Sequence, residues 1–437
     1  MSLPYEWLEY APSPRTLSGT DQWNVFLSYR SVNRPWVLNL YDVLREFGHT
    51  VFLDQVVLKA GDRLTKRLEE ALESSQAGVL VWSQATGDSD WVRREYETLE
   101  NLSSEKPGFQ FAPVKLDSAD LPRFARNRIF LDFSAYPDGP NGGELLRLLH
   151  SVVGTPLTSE AARFASEQDE IAREASNRID GAIRNKNPQR VIELFKQGGL
   201  AWKTSSALGC KTVEGLTALD RNDDAIALLE ELEQQFPRSI RPKQLRALAL
   251  ARRGKDGDLA TAQEILGVLY APGERDPETL GIYGRTWMDR YASSSDPNDL
   301  KESRSLYAKA FEAAPDDYYT GINAAAKSVF LGGYDDLQNA AAYAARVQVI
   351  VGTKPTPDDY FKTATAGEVL LIRGMYEDAA RLYQAAVSME RSKEGSHKTT
   401  WIQACRLMDR LKPTPDQRAL IRAAFAHLPD CVQLGAA

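Results

Sequence analysis

Between residues 21 and 154 the chain alternates short runs of consecutive apolar residues with longer stretches whose apolar positions recur every three or four residues. The first kind suits a strand buried on both faces, the second an amphipathic helix. The predicted strands are Asn24–Tyr29 (NVFLSY), Thr50–Leu53, Gly78–Trp82, Phe111–Val114 and Arg128–Asp132. Between them, Arg34–Phe47 places Trp36, Val37, Leu40, Val43, Leu44 and Phe47 on one helical face, and Arg63–Ser74 does the same with Leu64, Leu68, Ala71 and Leu72. Asp90–Leu102 reads as a further helix, started by Ser89 or Asp90 as N-cap. Strands interleaved with helices imply an α/β domain built on a five-stranded parallel sheet.

From about Ser159 onward the strand signal is gone and Ala, Leu, Arg and Glu recur at helical spacing. This half is expected to be all-α. Ala225–Arg253, Ser305–Gly332 and Ala364–Ala386 share a pattern of helix, proline-marked turn and helix. Pro242, Pro277, Pro315 and Pro357 are taken as the turn prolines, separated by 35, 38 and 42 residues. That is close to the period of about 34 residues of tetratricopeptide (TPR) repeats. Helix pairs of this kind bury their apolar faces only by stacking, which gives a TPR-like helical solenoid whose concave surface suits a protein partner. Asp296–Asn298 and Lys255–Asp258 are expected as loops between such units. The predicted organisation is an N-terminal extension over 1–20, an α/β domain over 21–154 and helical repeats over 155–437.

The 437 residues include 53 Lys plus Arg against 60 Asp plus Glu, a net charge of −7. A net-negative chain argues against affinity for a phosphate backbone, so no nucleic-acid partner is expected. Cys210, Cys405 and Cys431 lie far apart without a CxxC pair, and His49, His150, His397 and His427 show no zinc spacing. Neither a disulfide framework nor a metal site is expected. Glu6 and Glu9 interrupt the N-terminus where a signal peptide needs a basic start and an apolar run, and no long apolar stretch follows. The expectation is a cytoplasmic protein with no membrane association.

Several segments of the first half resemble, in order, the Toll/interleukin-1 receptor (TIR) domain. Val25–Arg30 (VFLSYR) resembles the family's first strand, and Asp54, Leu58 and Gly61 within LDQVVLKAGDRL resemble its BB loop. Leu68–Ser83 (LEEALESSQAGVLVWS) resembles the next helix and strand, Ser89–Glu97 (SDWVRREYE) the segment that carries the glutamate of NAD-cleaving TIR domains, and Ile129–Ser134 the last strand. The resemblance implies a flavodoxin-like fold, and it places Glu95, four residues after Trp91, in the catalytic role. The residue type suits the chemistry. Loss of neutral nicotinamide leaves an oxocarbenium-like sugar, which a fixed carboxylate stabilises, and the leaving group is a pyridinium that needs no acid. Without that resemblance Glu95 reads as an exposed helical glutamate in an i,i+4 pair.

Tyr29 and Arg30 stand at the carboxyl end of the first strand, where open α/β sheets bind ligands, and are candidate substrate contacts. Trp91 is either a ribose neighbour or an anchor of its helix. In the family the BB loop gates the pocket and contacts a neighbouring TIR domain, so Asp54, Leu58 and Gly61 are candidates on the same ground, and self-association is implied. NAD+ then serves as substrate, with no cofactor. In the helical half, Asp316–Gly333 (DDYYTGINAAAKSVFLGG) resembles the TRAFs-binding regulatory region of stress-activated kinase kinase kinases, although no kinase motif and no P-loop are present.

Together the resemblances imply a bacterial-style NAD+ glycohydrolase. It would release nicotinamide and linear or cyclic ADP-ribose on self-association, in signalling or anti-phage defence, with the repeats sensing a partner or driving assembly. Two other readings stay open, a non-enzymatic TIR adaptor and a protein that binds a nucleotide messenger without cleaving it.

Overall fold

A computed structural model describes residues 3–53, 64–84, 90–118, 120–121, 123–270, 276–389 and 394–430. The chain divides into two compact units, Met1–Glu274 and Arg275–Ala437. The strands of the described residues all fall between Trp23 and Asp132, and the division between the compact units falls after residue 274.

The first unit opens with a short helix, α1 (Tyr5–Tyr10), which seats Trp7 at 5.6 Å from Phe164 and 6.1 Å from Phe47, centroid to centroid. Strand β1 (Trp23–Ser28), helix α2 (Arg34–Glu46), strand β2 (Val51–Phe52), helix α3 (Leu64–Glu73), strand β3 (Ser75–Trp82), helix α4 (Asp90–Glu105), strands β4 (Gln110–Lys115) and β5 (Leu131–Asp132) and helix α5 (Gly142–Val153) follow. The sheet is parallel throughout, in the order β2-β1-β3-β4-β5. Successive side chains leave a strand on opposite faces, so each central strand supplies two cores. Phe26, Phe52 and Leu80 face Leu72, Tyr96 and Leu99, while Val25, Leu27, Val79 and Val81, also buried, turn to the other face. There α5 packs on β3 and β4.

The expected strand at Arg128–Asp132 shrinks to Leu131–Asp132. It is an edge strand, and Ile129 is 93% exposed. Arg128 is turned instead to Glu100 at 3.2 Å and Ser103 at 2.9 Å.

The same unit continues with α6 (Ser159–Arg184), α7 (Pro188–Gln197), α8 (Leu200–Thr204), α9 (Ala207–Ala218), α10 (Asn222–Gln235), α11 (Ile240–Arg253) and α12 (Asp258–Leu269). Helix α6 lies against α5 so closely that a Cβ on Gly143 would come within 2.0 Å of the Ala165 carbonyl oxygen. Asp169 of α6 accepts from the Gly143 N–H at 2.7 Å and from the Tyr136 hydroxyl at 2.9 Å. Lys211 of α9, nearly buried, holds Asp138 and Asp180, each at 2.9 Å.

The second unit holds α13 (Pro277–Ser294), α14 (Pro297–Ala313), α15 (Tyr318–Leu331), α16 (Tyr334–Val351), α17 (Tyr360–Ile372), α18 (Tyr376–Met389), α19 (Glu394–Leu411) and α20 (Pro415–Ala424). Several begin on an aspartate whose carboxylate takes the first free N–H groups: Asp276, Asp296, Asp317 and Asp359 cap α13, α14, α15 and α17. Neighbouring helices pack in succession from α13 to α18, α18 packs on α20, and α15, α17 and α19 also touch one another. Phe311, Val347, Val369, Trp401 and Phe425 lie in their shared core. Among the described residues, no helix is long and apolar enough to cross a membrane.

The proline assignments need correction. Pro315 and Pro357 do lie between helices, but Pro242 is the third residue of α11 and Pro277 the first of α13. A proline in the first turn removes no hydrogen bond, so it opens a helix as readily as it marks a turn. Pro237 occupies the turn between α10 and α11 instead. Likewise Pro297 and Asn298 open α14, and Asp258 opens α12, rather than lying in loops. Cys210 is a free, buried thiol, but Cys405 is disulfide-bonded, against the expectation of no such linkage.

Candidate functional site

In a sheet ordered β2-β1-β3-β4-β5 the chain leaves β1 toward one side and returns to β3 on the other. The strand ends diverge at this switch, and the crevice beyond their carboxyl ends is where open α/β sheets take ligands. The residues at this switch are Ser28, the last of β1, Tyr29 just after it, Ser83 after β3 and the start of α2.

Tyr29 is buried, with its hydroxyl bonded to the Arg34 guanidinium, whose carbon lies 5.7 Å from the ring centroid. Arg34 is only 2% exposed although it is the first residue of α2. A cation there opposes the positive end of the helix dipole, so the phenol oxygen and ring face give it needed compensation. Asn33 stands at the N-cap position, yet its side chain makes no capping bond. Its Oδ1 accepts from the Ser83 hydroxyl at 2.8 Å, and both residues are buried. Arg30 is half-buried, and its carbonyl accepts from the Asn33 N–H at 2.9 Å. The structure therefore brings Tyr29 and Arg30 together with Asn33, Arg34 and Ser83. The last three carried no sequence signal beyond their positions next to a strand end and a helix start.

On the β4 side the Gln84 N–H donates to Asp117 at 2.7 Å. Lys115 pairs with Asp132 at 2.9 Å. Burial works against the Asp132 carboxylate, but the bonds from Ser134 and Lys115 outweigh it and hold its pKa below the usual range.

Helix α4 begins from the carboxyl end of β3, so its early turns belong to this edge of the sheet. Trp91 and Glu95 are in those turns, and their side chains lie outside the described ones. Position 95 adjoins buried Tyr96 and precedes buried Leu99 by one turn, while Arg93 and Glu97 form an exposed i,i+4 pair at 2.9 Å. Asp54, Leu58 and Gly61 lie outside the described residues. No group of three or more His, Cys, Asp or Glu suited to a metal ion occurs among the described residues.

Residues 25–147 match the TIR domain family, and residues 221–328 match the family of tetratricopeptide repeat sensors. The chain is 29% identical over 85 residues to the probable 2' cyclic ADP-D-ribose synthase TcpB of Brucella melitensis, covering 19% of this chain and 34% of the relative. It is 27% identical over 110 residues to the 2' cyclic ADP-D-ribose synthase BtTIR of Bacteroides thetaiotaomicron, covering 24% and 38%. The matched stretch thus spans little more than a third of either curated relative. A thermophilic TPR protein of Thermus thermophilus aligns with 47% of this chain and 98% of its own at 17% identity, with a TM-score of 0.36, too loose a likeness to carry an argument. By these matches and by its doubly wound sheet, the chain carries a TIR domain at residues 25–147, and a TPR-like sensor repeat at 221–328.

Proposed function

We propose that the TIR domain cleaves NAD+ between nicotinamide and ribose. The observation that carries this reading is the likeness to relatives named as 2' cyclic ADP-D-ribose synthases, in a chain that has a glutamate at position 95, in the early turns of α4. The glycosidic bond breaks with its electron pair passing to the pyridinium nitrogen, so nicotinamide leaves neutral. The electron-poor ribose carbon is then taken by water, which gives up a proton to form ADP-ribose, or by a hydroxyl of the same molecule to form a cyclic product. Glu95 supplies the negative charge that favours the cationic sugar in the transition state. Tyr29, Arg30 and Trp91 border the substrate, and Asp54, Leu58 and Gly61 complete the pocket from the BB loop, in part on a neighbouring TIR domain. Activity then depends on self-association, and the repeats serve as the sensing or assembly module. NAD+ is the substrate and no cofactor is invoked.

The test is nicotinamide release by purified protein over a wide range of protein concentration, beside folded Glu95→Ala. Release per molecule that rises with concentration supports the composite pocket. A specific rate independent of concentration in a monomeric preparation contradicts it.

A further inference from the structure

Helix α2 touches two regions that the sequence keeps far apart. At its start lie Asn33, bonded to Ser83 at 2.8 Å, and Arg34, bonded to the Tyr29 hydroxyl. Its middle reaches the helices that follow the α/β fold. Asn39 donates to the Asp138 carbonyl at 2.9 Å and accepts from the Ser206 hydroxyl at 3.0 Å. Three residues on, Asp42 accepts from the backbone N–H of Ile240 at 2.9 Å.

Ile240 is the first residue of α11, so Asp42 receives the free N–H end of a helix, where a carboxyl oxygen is favoured. Asp42 is 4% exposed, and burial pushes its pKa up to about 7 against the bonds from Ile240 and Ser239 and the charges of Arg45 and Lys243. An apolar side chain would fill this space without that penalty. What the carboxyl adds is direction: with Asn39 it fixes the position of α2 along its own axis against α9 and α11, a registering use of a buried polar group. A hydrogen-bonded helix of 13 residues transmits an axial shift from its middle to its first turn.

We propose that Asp42 is a positioning residue: through α2, the helices α9 and α11 hold Asn33 and Arg34 in place at the carboxyl edge of the sheet. The consequence for catalysis rests on the NAD+-cleaving reading of that edge; the consequence for the helix does not. Displacing groups at the rim of the site weakens substrate binding and leaves the bond-breaking step itself unchanged.

The full chain is compared as wild type, Asp42→Ala, Asp42→Asn and Ser206→Ala. Hydrogen–deuterium exchange is followed on peptides spanning residues 29–38 and, as reference, 142–153, beside initial rates of nicotinamide release against NAD+ concentration. In Asp42→Ala, exchange over 29–38 rises by about fivefold or more relative to the reference peptide, as expected for local rather than global opening. KM rises by about tenfold with kcat little changed, the mark of lost binding rather than lost chemistry. Asp42→Asn keeps the acceptor oxygen and restores both measures to within about twofold, the residual being the difference between a carboxyl and an amide acceptor. Ser206→Ala, which acts at the Asn39 contact, moves both in the same direction by less and decides the matter if Asp42→Ala does not fold. Exchange over 29–38 that stays at the wild-type rate overturns the proposal, and so does a rise shared equally by 142–153. A wild-type protein that releases no nicotinamide contradicts the NAD+ reading and leaves the exchange result to decide this one.

Discussion

The side chain of Asn33 spends its acceptor on Ser83, at 2.8 Å, instead of capping the helix it precedes. Two segments separated by 50 residues are thereby joined at the carboxyl ends of β1 and β3.

Ser83→Ala removes the donor and leaves the buried Asn33 Oδ1 short of one bond. The loss expected is about 1 kcal/mol of unfolding free energy, the net worth of a buried hydrogen bond. Urea denaturation of the variant checks it. Ser83→Thr keeps the hydroxyl and is expected to lose less than half as much.

His49, between α2 and β2, is 4% exposed, and neither ring nitrogen has a hydrogen-bond partner among the described residues. Burial lowers its pKa to about 4 from an ordinary 6.5. The unfolded chain therefore binds a proton at a higher pH than the folded one. The stability this histidine contributes is present above about pH 6.5 and is lost as pH falls through about 4, by at most on the order of 3 kcal/mol. Denaturation of wild type and His49→Gln at several pH values between these limits is expected to show a smaller pH slope in the variant; equal slopes refute the assignment.

Gly143 and Gly181 offer a paired test of packing against propensity. A methyl at Gly143 meets the Ala165 carbonyl at 2.0 Å, whereas one at Gly181, inside α6, meets none of the described residues within 4 Å. Gly143→Ala is expected to destabilise by roughly 2 kcal/mol or more through overpacking. Gly181→Ala is expected to stabilise by about 0.5–1 kcal/mol, the ordinary preference of Ala in a helix. Thermal and chemical unfolding of the two variants distinguish the effects.

Lys211 carries the contact between the Asp138 loop and α6. Its side chain is 9% exposed but the carboxylates are 28% and 39% exposed, so water partly relieves them when the cation is removed. Lys211→Met is accordingly expected to cost about 1–2 kcal/mol, above a surface pair and below a fully buried one. The loss shrinks in high salt if the charge rather than the alkyl stem is responsible.

Much of this fold was legible in the apolar pattern because strands buried on both faces leave unbroken runs, as in NVFLSY and GVLVW. Tyr29 and Arg30 could be placed at the sheet edge from the end of the first run alone. Asn33, Arg34 and Ser83 could not be joined to them, since what joins them is the pairing of β1 with β3 and not any local spacing. Helix α2 was read as having one apolar face, yet Asn39 and Asp42 on its other positions are buried as well. Their cover comes from residues near 206 and 240, and no periodicity within α2 announces a second packing face. The prolines misled for a related reason: Pro242 and Pro277 obey the same local rule whether they end a turn or begin a helix.

The most direct measurement is nicotinamide release from NAD+ by the purified full chain, with Glu95→Ala alongside and the folding of both confirmed by circular dichroism. Release by the wild type, lost by at least about 100-fold in Glu95→Ala, is the expected result for a group that stabilises charge only in the transition state. Equal release by both proteins would remove Glu95 from the chemistry, and no release at the highest attainable protein concentration would contradict the NAD+-cleaving function itself.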